Sequence, residues 1–365
     1  MVEKELLAVL RLQAMSLVGD VTAKKLIAHC GSAQAVFETA PQTLEKIMGI
    51  GSRTLTHLKD PKFEEAARVE WEVLQKMNWG YTYFKDPEYP EWLRHAVDGP
   101  ILLFHKGNIN WQGQRIISIV GTRDMTAHGR RFCEELVAEL APLDPIIVSG
   151  LAYGVDITAH KAALTHGLQT IACMAHGLNQ TYPRAHAKYA KQICEHGGLV
   201  TDFWSDTEPD REHFLQRNRI IAGLSEATIV IESGAKGGSL VTADIAHSYD
   251  RDVFAVPGRP GDSQSLGCNS LIKAQKARIL TTAADLVYHL GWEIEKPAPV
   301  QTQLFVTLPP EEQKVCDYLK KNGKTHIDAI ALDLGVPVFK LSPLLLNLEM
   351  QGLVRPLPGK MYEKL

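Results

Sequence analysis

The chain has only six cysteines in 365 residues and no CxxC pair, so neither a zinc knuckle nor a disulfide framework is expected. A reducing cytoplasm is the default location. No stretch approaches the ~18 uninterrupted apolar residues of a membrane span. The charged start Met1-Val2-Glu3-Lys4-Glu5 is followed by no apolar core of the kind a signal peptide needs. Net charge is also small, −3, so any polyanion must be held by a local basic patch and not by the field of the whole chain. The fingerprints of common nucleotide and hydrolase sites are missing as well: no GxxxxGK(S/T), no GxGxxG after the first strand, no HExxH and no GxSxG. Paired acids and bases are not evident either, which favours binding over catalysis. No catalytic residue, metal or cofactor is therefore assigned.

What is present reads as a folded, multi-domain protein. A hydrophobic fraction of 45% against 22% charged residues excludes a disordered chain, and the length favours two or three domains. Residues 1–80 read as helical. Residues 81–295 contain seven β-branched apolar runs, at Arg115–Val120, Pro145–Ser149, Gln169–Met174, Gly198–Phe203, Ala227–Glu232, Asp252–Pro257 and Arg278–Thr281. Helical stretches separate most of them, which predicts a parallel sheet covered on both faces. Residues 296–307 look like a linker, and 308–365 like a compact helical unit ending in a hairpin.

In the helical segment, the phrases around Gly19-Asp20 and Gly49-Ile50-Gly51 each set a tight turn before a helix. Such turns leave amide N–H groups free for a phosphate, as in a helix-hairpin-helix pair, or serve only as packing units. The sheet segment is more telling. Open parallel sheets bind ligands beyond the carboxyl ends of their strands, and five of those ends are rich in small and polar residues. Gly121-Thr122-Arg123 follows the first strand, Ser149-Gly150 through Asp156 the second, and Ala175-His176-Gly177 with Tyr182-Pro183-Arg184 the third. Gly237-Gly238-Ser239 opens a helix after the fifth, where amides and dipole suit a phosphate. Pro257-Gly258-Arg259 ends the sixth. Asp156 is expected to cap the helix after it, and His160 to make a structural hydrogen bond. Ser239 can cap its helix or donate to a phosphate, and Arg123 can fork onto phosphate oxygens or pair within the fold. Phe214, Arg217, Asn218 and Arg219 sit together before the fifth strand. An aromatic among arginines suits a single strand, whereas the alternative is a core Phe with arginines paired to nearby acids.

Taken in order, Val120-Gly121-Thr122-Arg123, Val148 through His160, Arg217-Asn218-Arg219 through Ser225, Gly238 through Ala243 and Val256-Pro257-Gly258 closely resemble the DprA/Smf family of DNA-processing proteins. The resemblance implies an extended Rossmann-like α/β domain that binds single-stranded DNA, forms a homodimer and loads RecA during natural transformation, with no enzymatic step and no membrane. It also implies a helical N-terminal module and a C-terminal winged helix. Carried over motif by motif, it places the DNA site at Arg123, Arg217, Asn218, Arg219, Lys236 and Ser239, with Phe214 and Lys273, and the small and polar rim adds Gly121, Ser149, Gly150, Tyr153, Arg184 and Gly238. Tyr153 stands where many relatives carry Arg or Lys.

From Leu308 onward, helices at Pro310–Asn322, Thr325–Leu334 and Phe339–Gly352 precede a short wing. Eight basic residues there barely exceed seven acids, which suits a protein-contacting role better than DNA reading. Two other functions fit parts of this sequence. One is a nucleotide-processing enzyme of the lysine-decarboxylase-like Rossmann group, although the acidic residue expected after Gly237-Gly238 is missing. The other is a DNA-binding regulator acting through the winged helix.

Overall fold

Nine strands form one twisted sheet in the computed structural model, which describes residues 2–111, 115–292 and 308–364. They are β1 (Gly80–Tyr83), β2 (Leu102–Gly107), β3 (Ile116–Val120), β4 (Ile146–Ser149), β5 (Thr170–Cys173), β6 (Gly197–Thr201), β7 (Ala227–Val230), β8 (Asp252–Ala255) and β9 (Arg278–Ile279). Their spatial order is β1-β2-β6-β5-β4-β3-β7-β8-β9. The seven strands from β6 to β9 run parallel, and all seven correspond to the runs expected from sequence. Those in the middle are buried on both faces, which is why they read as continuous apolar runs.

Two strands escaped the sequence reading. β1 pairs antiparallel with β2, and β2 antiparallel with β6. They lie where helical periodicity gives way, and no crossover helix flags them as sheet. The chain order reverses between β3 and β7, so the crevice at their carboxyl ends is the switch point of the sheet.

By packing, the chain forms two units, Met1–Ile294 and Glu295–Leu365. The N-terminal helices belong to the first. Leu6, Leu10, Leu26 and Leu74 share a core with Leu102, Met174 and Leu199 of the sheet domain. Two polar ties reinforce that packing. Glu70, 3% exposed, accepts hydrogen bonds from the Ser205 backbone N–H (2.9 Å) and hydroxyl (2.7 Å). Asp20, in the first glycine turn, accepts from the Ile101 N–H at 2.8 Å and pairs with Arg219. Gly19 and Gly51 do precede helices, Asp20–Cys30 and Ser52–Leu58. The first of these turns is spent on contacts with the sheet domain.

The second unit has helices Pro310–Asn322, Ile327–Leu334 and Val338–Met350 around Val315, Leu319, Ile330, Leu341, Leu345 and Leu348. Met361–Lys364 pairs with Val354–Leu357 to form the wing. Thr325–His326, read as the start of the second helix, is instead a short strand pairing with Met361 and Tyr362. The linker expected at 296–307 lies outside the described residues. All six cysteines are free thiols, and among the described residues no helix is by itself long and apolar enough to cross a membrane.

Candidate nucleic-acid interface

The switch-point crevice is an open cleft of about 1010 Å³. One wall is the loop after β3, Gly121 through Asp124. Another is the helix Arg211–Leu224, contributing Arg211, Phe214, Leu215, Arg217 and Asn218. The third is the loop after β7 and the start of helix Gly238–Ser248, with Ser233, Lys236, Gly238, Ser239 and Val241.

Phe214 is the centre of its chemistry. The Arg123 guanidinium lies 5.6 Å from its ring centroid and that of Arg217 5.7 Å, while Tyr182 meets it edge-on at 5.8 Å. Cations near a ring and an aromatic edge make a platform on which a flat, electron-rich group can stack. Leu215 and Val241 stay 47% and 37% exposed along the same cleft, adding apolar wall.

The two arginines beside Phe214 differ in kind. Arg123 is exposed and free to meet a ligand. Arg217 is 4% exposed; it donates to the carbonyls of Gly150 (2.8 Å) and Cys173, and one buried Nε has no partner. It acts as a cationic strut beneath the cleft. Gly150 has to be glycine for this: a Cβ there would lie 2.4 Å from the Arg217 guanidinium. Gly154 is needed for a similar reason, holding φ at +76° where a Cβ would strike the Thr122 carbonyl at 2.2 Å. Both glycines admit the protein's own groups.

Helix Gly238–Ser248 points its first turn at the cleft. Gly237 is its cap, and Ser239 donates instead to the Ser233 hydroxyl at 3.0 Å. A Cβ on Gly238 would meet nothing within 4 Å, so an anion can approach this turn, where the Leu240 N–H already donates to the Gly237 carbonyl at 3.1 Å. Asn218 braces it by donating to the Gly238 carbonyl at 3.4 Å. Four cations line the cleft (Arg123, Arg211, Arg217, Lys236) with three carboxylates. Two of the latter are engaged: Asp210 caps its helix through the Glu212 N–H, and Asp156 accepts from Gly150 and Ala152. Asp156 is thus no helix cap. Gly154 takes that place and Asp156 ties the preceding loop, with burial pushing its pKa up.

His160 makes the structural bond expected of it, 2.7 Å from the Thr170 hydroxyl. That hydroxyl already donates to Ile147, so it accepts from His160 Nδ1–H and leaves Nε2 bare. Burial, aided by the Arg217 charge, pushes His160 down to about 3.

Of the residues singled out in the sequence, Gly121, Arg123, Phe214, Arg217, Asn218, Lys236, Gly238 and Ser239 line this cleft. Six do not. Ser149 is fully buried and donates to Ile119. Gly150 lies beneath, against Arg217. Tyr153 is exposed and packs on His186, close in sequence to the exposed Arg184. Lys273 is exposed at the end of helix Leu266–Lys273, outside the cleft. Arg219 is a correction: it turns to the far side of its helix, into ion pairs with Asp20 and Asp202 and a bond to the Asp98 carbonyl. The lining residues not assigned from sequence include Tyr182, Arg211, Leu215 and Val241.

The same residues stand in a known context. The family model for DNA recombination-mediator protein A matches residues 80–291, and that for the DprA winged helix domain matches 296–360. The chain is 33% identical to a putative DNA processing protein DprA of Mycobacterium tuberculosis, over 92% of this chain and 83% of the relative. Among solved structures, DprA of Streptococcus pneumoniae superposes with a TM-score of 0.65 at 30% identity, covering 76% of this chain and 95% of that one. DprA of Helicobacter pylori, solved for its single-stranded DNA binding mode, gives 0.52 at 28% identity, covering 57% and 95%. The chain belongs to the DNA recombination-mediator protein A family, known as DprA or Smf.

Proposed function

We propose that the cleft binds single-stranded DNA without sequence preference and that the protein delivers RecA to that strand, without catalysing a reaction. The observation that carries this reading is Phe214, with the Arg123 and Arg217 guanidinium groups 5.6 and 5.7 Å from its ring centroid, in one cleft with the exposed Gly238. A base stacks on the ring, the guanidinium of Arg123 and the ammonium of Lys236 meet phosphates, and none of these groups reads a base edge. A duplex hides its base faces and cannot use the platform. The single-strand binding named for the Helicobacter pylori relative supports the same ligand. RecA delivery in natural transformation, a homodimer through the sheet domain and a cytoplasmic location form part of this proposal, with family membership as their support.

Fluorescence anisotropy with labelled single- and double-stranded oligonucleotides tests the binding. Single strands are expected to bind more tightly, and Arg123→Ala to weaken them by about tenfold, the loss of one charge-assisted contact. Wild-type affinity in the variant would remove the cleft from consideration. RecA delivery is tested by filament assembly on strands precoated with single-strand-binding protein: the chain should shorten the lag, and an unchanged lag refutes it.

A further inference from the structure

The last helix of the winged unit, Val338–Met350, has two apolar faces. Leu341, Leu345 and Leu348 fill the core. On the other side Phe339, Leu346 and Met350 are 74%, 55% and 82% exposed, with exposed Pro343 between them. At about 100° per residue these four fall within a sector of roughly 60°. Single exposed apolar residues are ordinary, but a contiguous stripe marks a contact surface. In a winged helix this is the element that enters the major groove, where basic residues must meet phosphate. Here its charged residues are Lys340 and Glu349, which cancel.

The order of residues indicates the occupant. Positions 339 and 350, and 343 and 346, are symmetric about the midpoint between Leu344 and Leu345. A two-fold axis perpendicular to the helix at that point brings Phe339 level with the partner's Met350, and Pro343 level with the partner's Leu346. Lys340 and Glu349 obey the same symmetry and lie roughly 90° to either side of the stripe, so pairing buries no charge. We propose that this stripe is a self-docking surface, on which the winged units of two copies pair antiparallel through Phe339, Pro343, Leu346 and Met350. Such an interface is isologous, as closed two-fold contacts are, and sets a thioether against an aromatic ring. With four side chains per copy it falls below standard interface size. Free chains therefore pair weakly, and copies held close together pair strongly.

Cysteine exchange in the full-length protein tests this without reference to DNA. Phe339→Cys and Met350→Cys chains are mixed, mildly oxidised and digested, and cross-links are identified by mass spectrometry against a wild-type control for the native thiols. The 339–350 cross-link should exceed the 339–339 and 350–350 links several-fold. Antiparallel pairing separates like positions by about 16 Å along the axis, beyond disulfide reach. Adding Leu346→Arg to both chains should abolish the 339–350 link while circular dichroism stays unchanged. Equal yields of the three links, no link at all, or a link indifferent to Leu346→Arg would overturn the proposal.

Discussion

Arg217 and Arg219 lie two residues apart in one motif yet face opposite ways. Two residues turn a helix by about 200°, so both could not reach one cleft. The motif shows that arginines matter here and not which does what. Arg219 finds its carboxylates 199 and 17 residues away, at Asp20 and Asp202, and no local pattern announces such a contact. Its removal would leave two largely buried acids facing each other. Arg219→Ala is therefore expected to cost about 3–5 kcal/mol of stability in denaturant titration. Strand affinity of the molecules that remain folded should be unchanged. A stable Arg219→Ala with impaired binding would return this residue to the cleft. His160 gives a second prediction. Its folded pKa lies below the unfolded value of 6.5, at about 3, so the unfolded chain binds the extra proton between these limits. Stability from this residue is full above 6.5 and falls with pH, by at most about 1.4 kcal/mol per unit. Asp20, Glu70 and Asp156, raised by burial, act in the opposite sense. The comparison that isolates the histidine is wild type against His160→Gln. Between pH 7.5 and 5 the variant should lose less stability, and equal losses would contradict the assignment.

At the scale of elements, the parallel strands were legible because burial on both faces writes itself as β-branched runs such as Ile116–Val120. β1 and β2 were not, since Gly80–Tyr83 is four residues long with its register set by β2, and β2 in turn is placed by β6, not by its own periodicity. The glycine turns show the same limit. Gly19 and Gly51 were recognised as helix starts, but whether such a turn meets phosphate or protein depends on Ile101 and Arg219, far along the chain. The N-terminal helices thus read as a module while sharing the sheet domain's core. Deleting residues 1–78 would expose the apolar surface now covered by Leu6, Leu10 and Leu74. The truncated chain is expected to aggregate, or to unfold at clearly lower denaturant than the full chain. A truncation with an unchanged midpoint would show that the helices contribute little.

For the whole molecule, a net charge of −3 is reconciled with a polyanionic ligand by geometry. Arg123, Arg211 and Lys236 stand exposed around one cleft, while two of its three carboxylates are occupied by backbone amides. Three phosphate contacts on a single strand imply a slope near −2 for log affinity against log salt, about a 15-fold loss between 50 and 200 mM. Base stacking on Phe214 adds about 1–3 kcal/mol that salt leaves largely untouched. The two contributions separate by variant. The most direct test of the cleft is a salt titration of single-strand affinity for wild type, Arg123→Ala and Phe214→Ala. The cleft predicts a shallower slope by about 0.7 in Arg123→Ala, and a parallel, uniformly weaker line in Phe214→Ala. Three superimposed lines, or a wild-type affinity indifferent to salt, would contradict it.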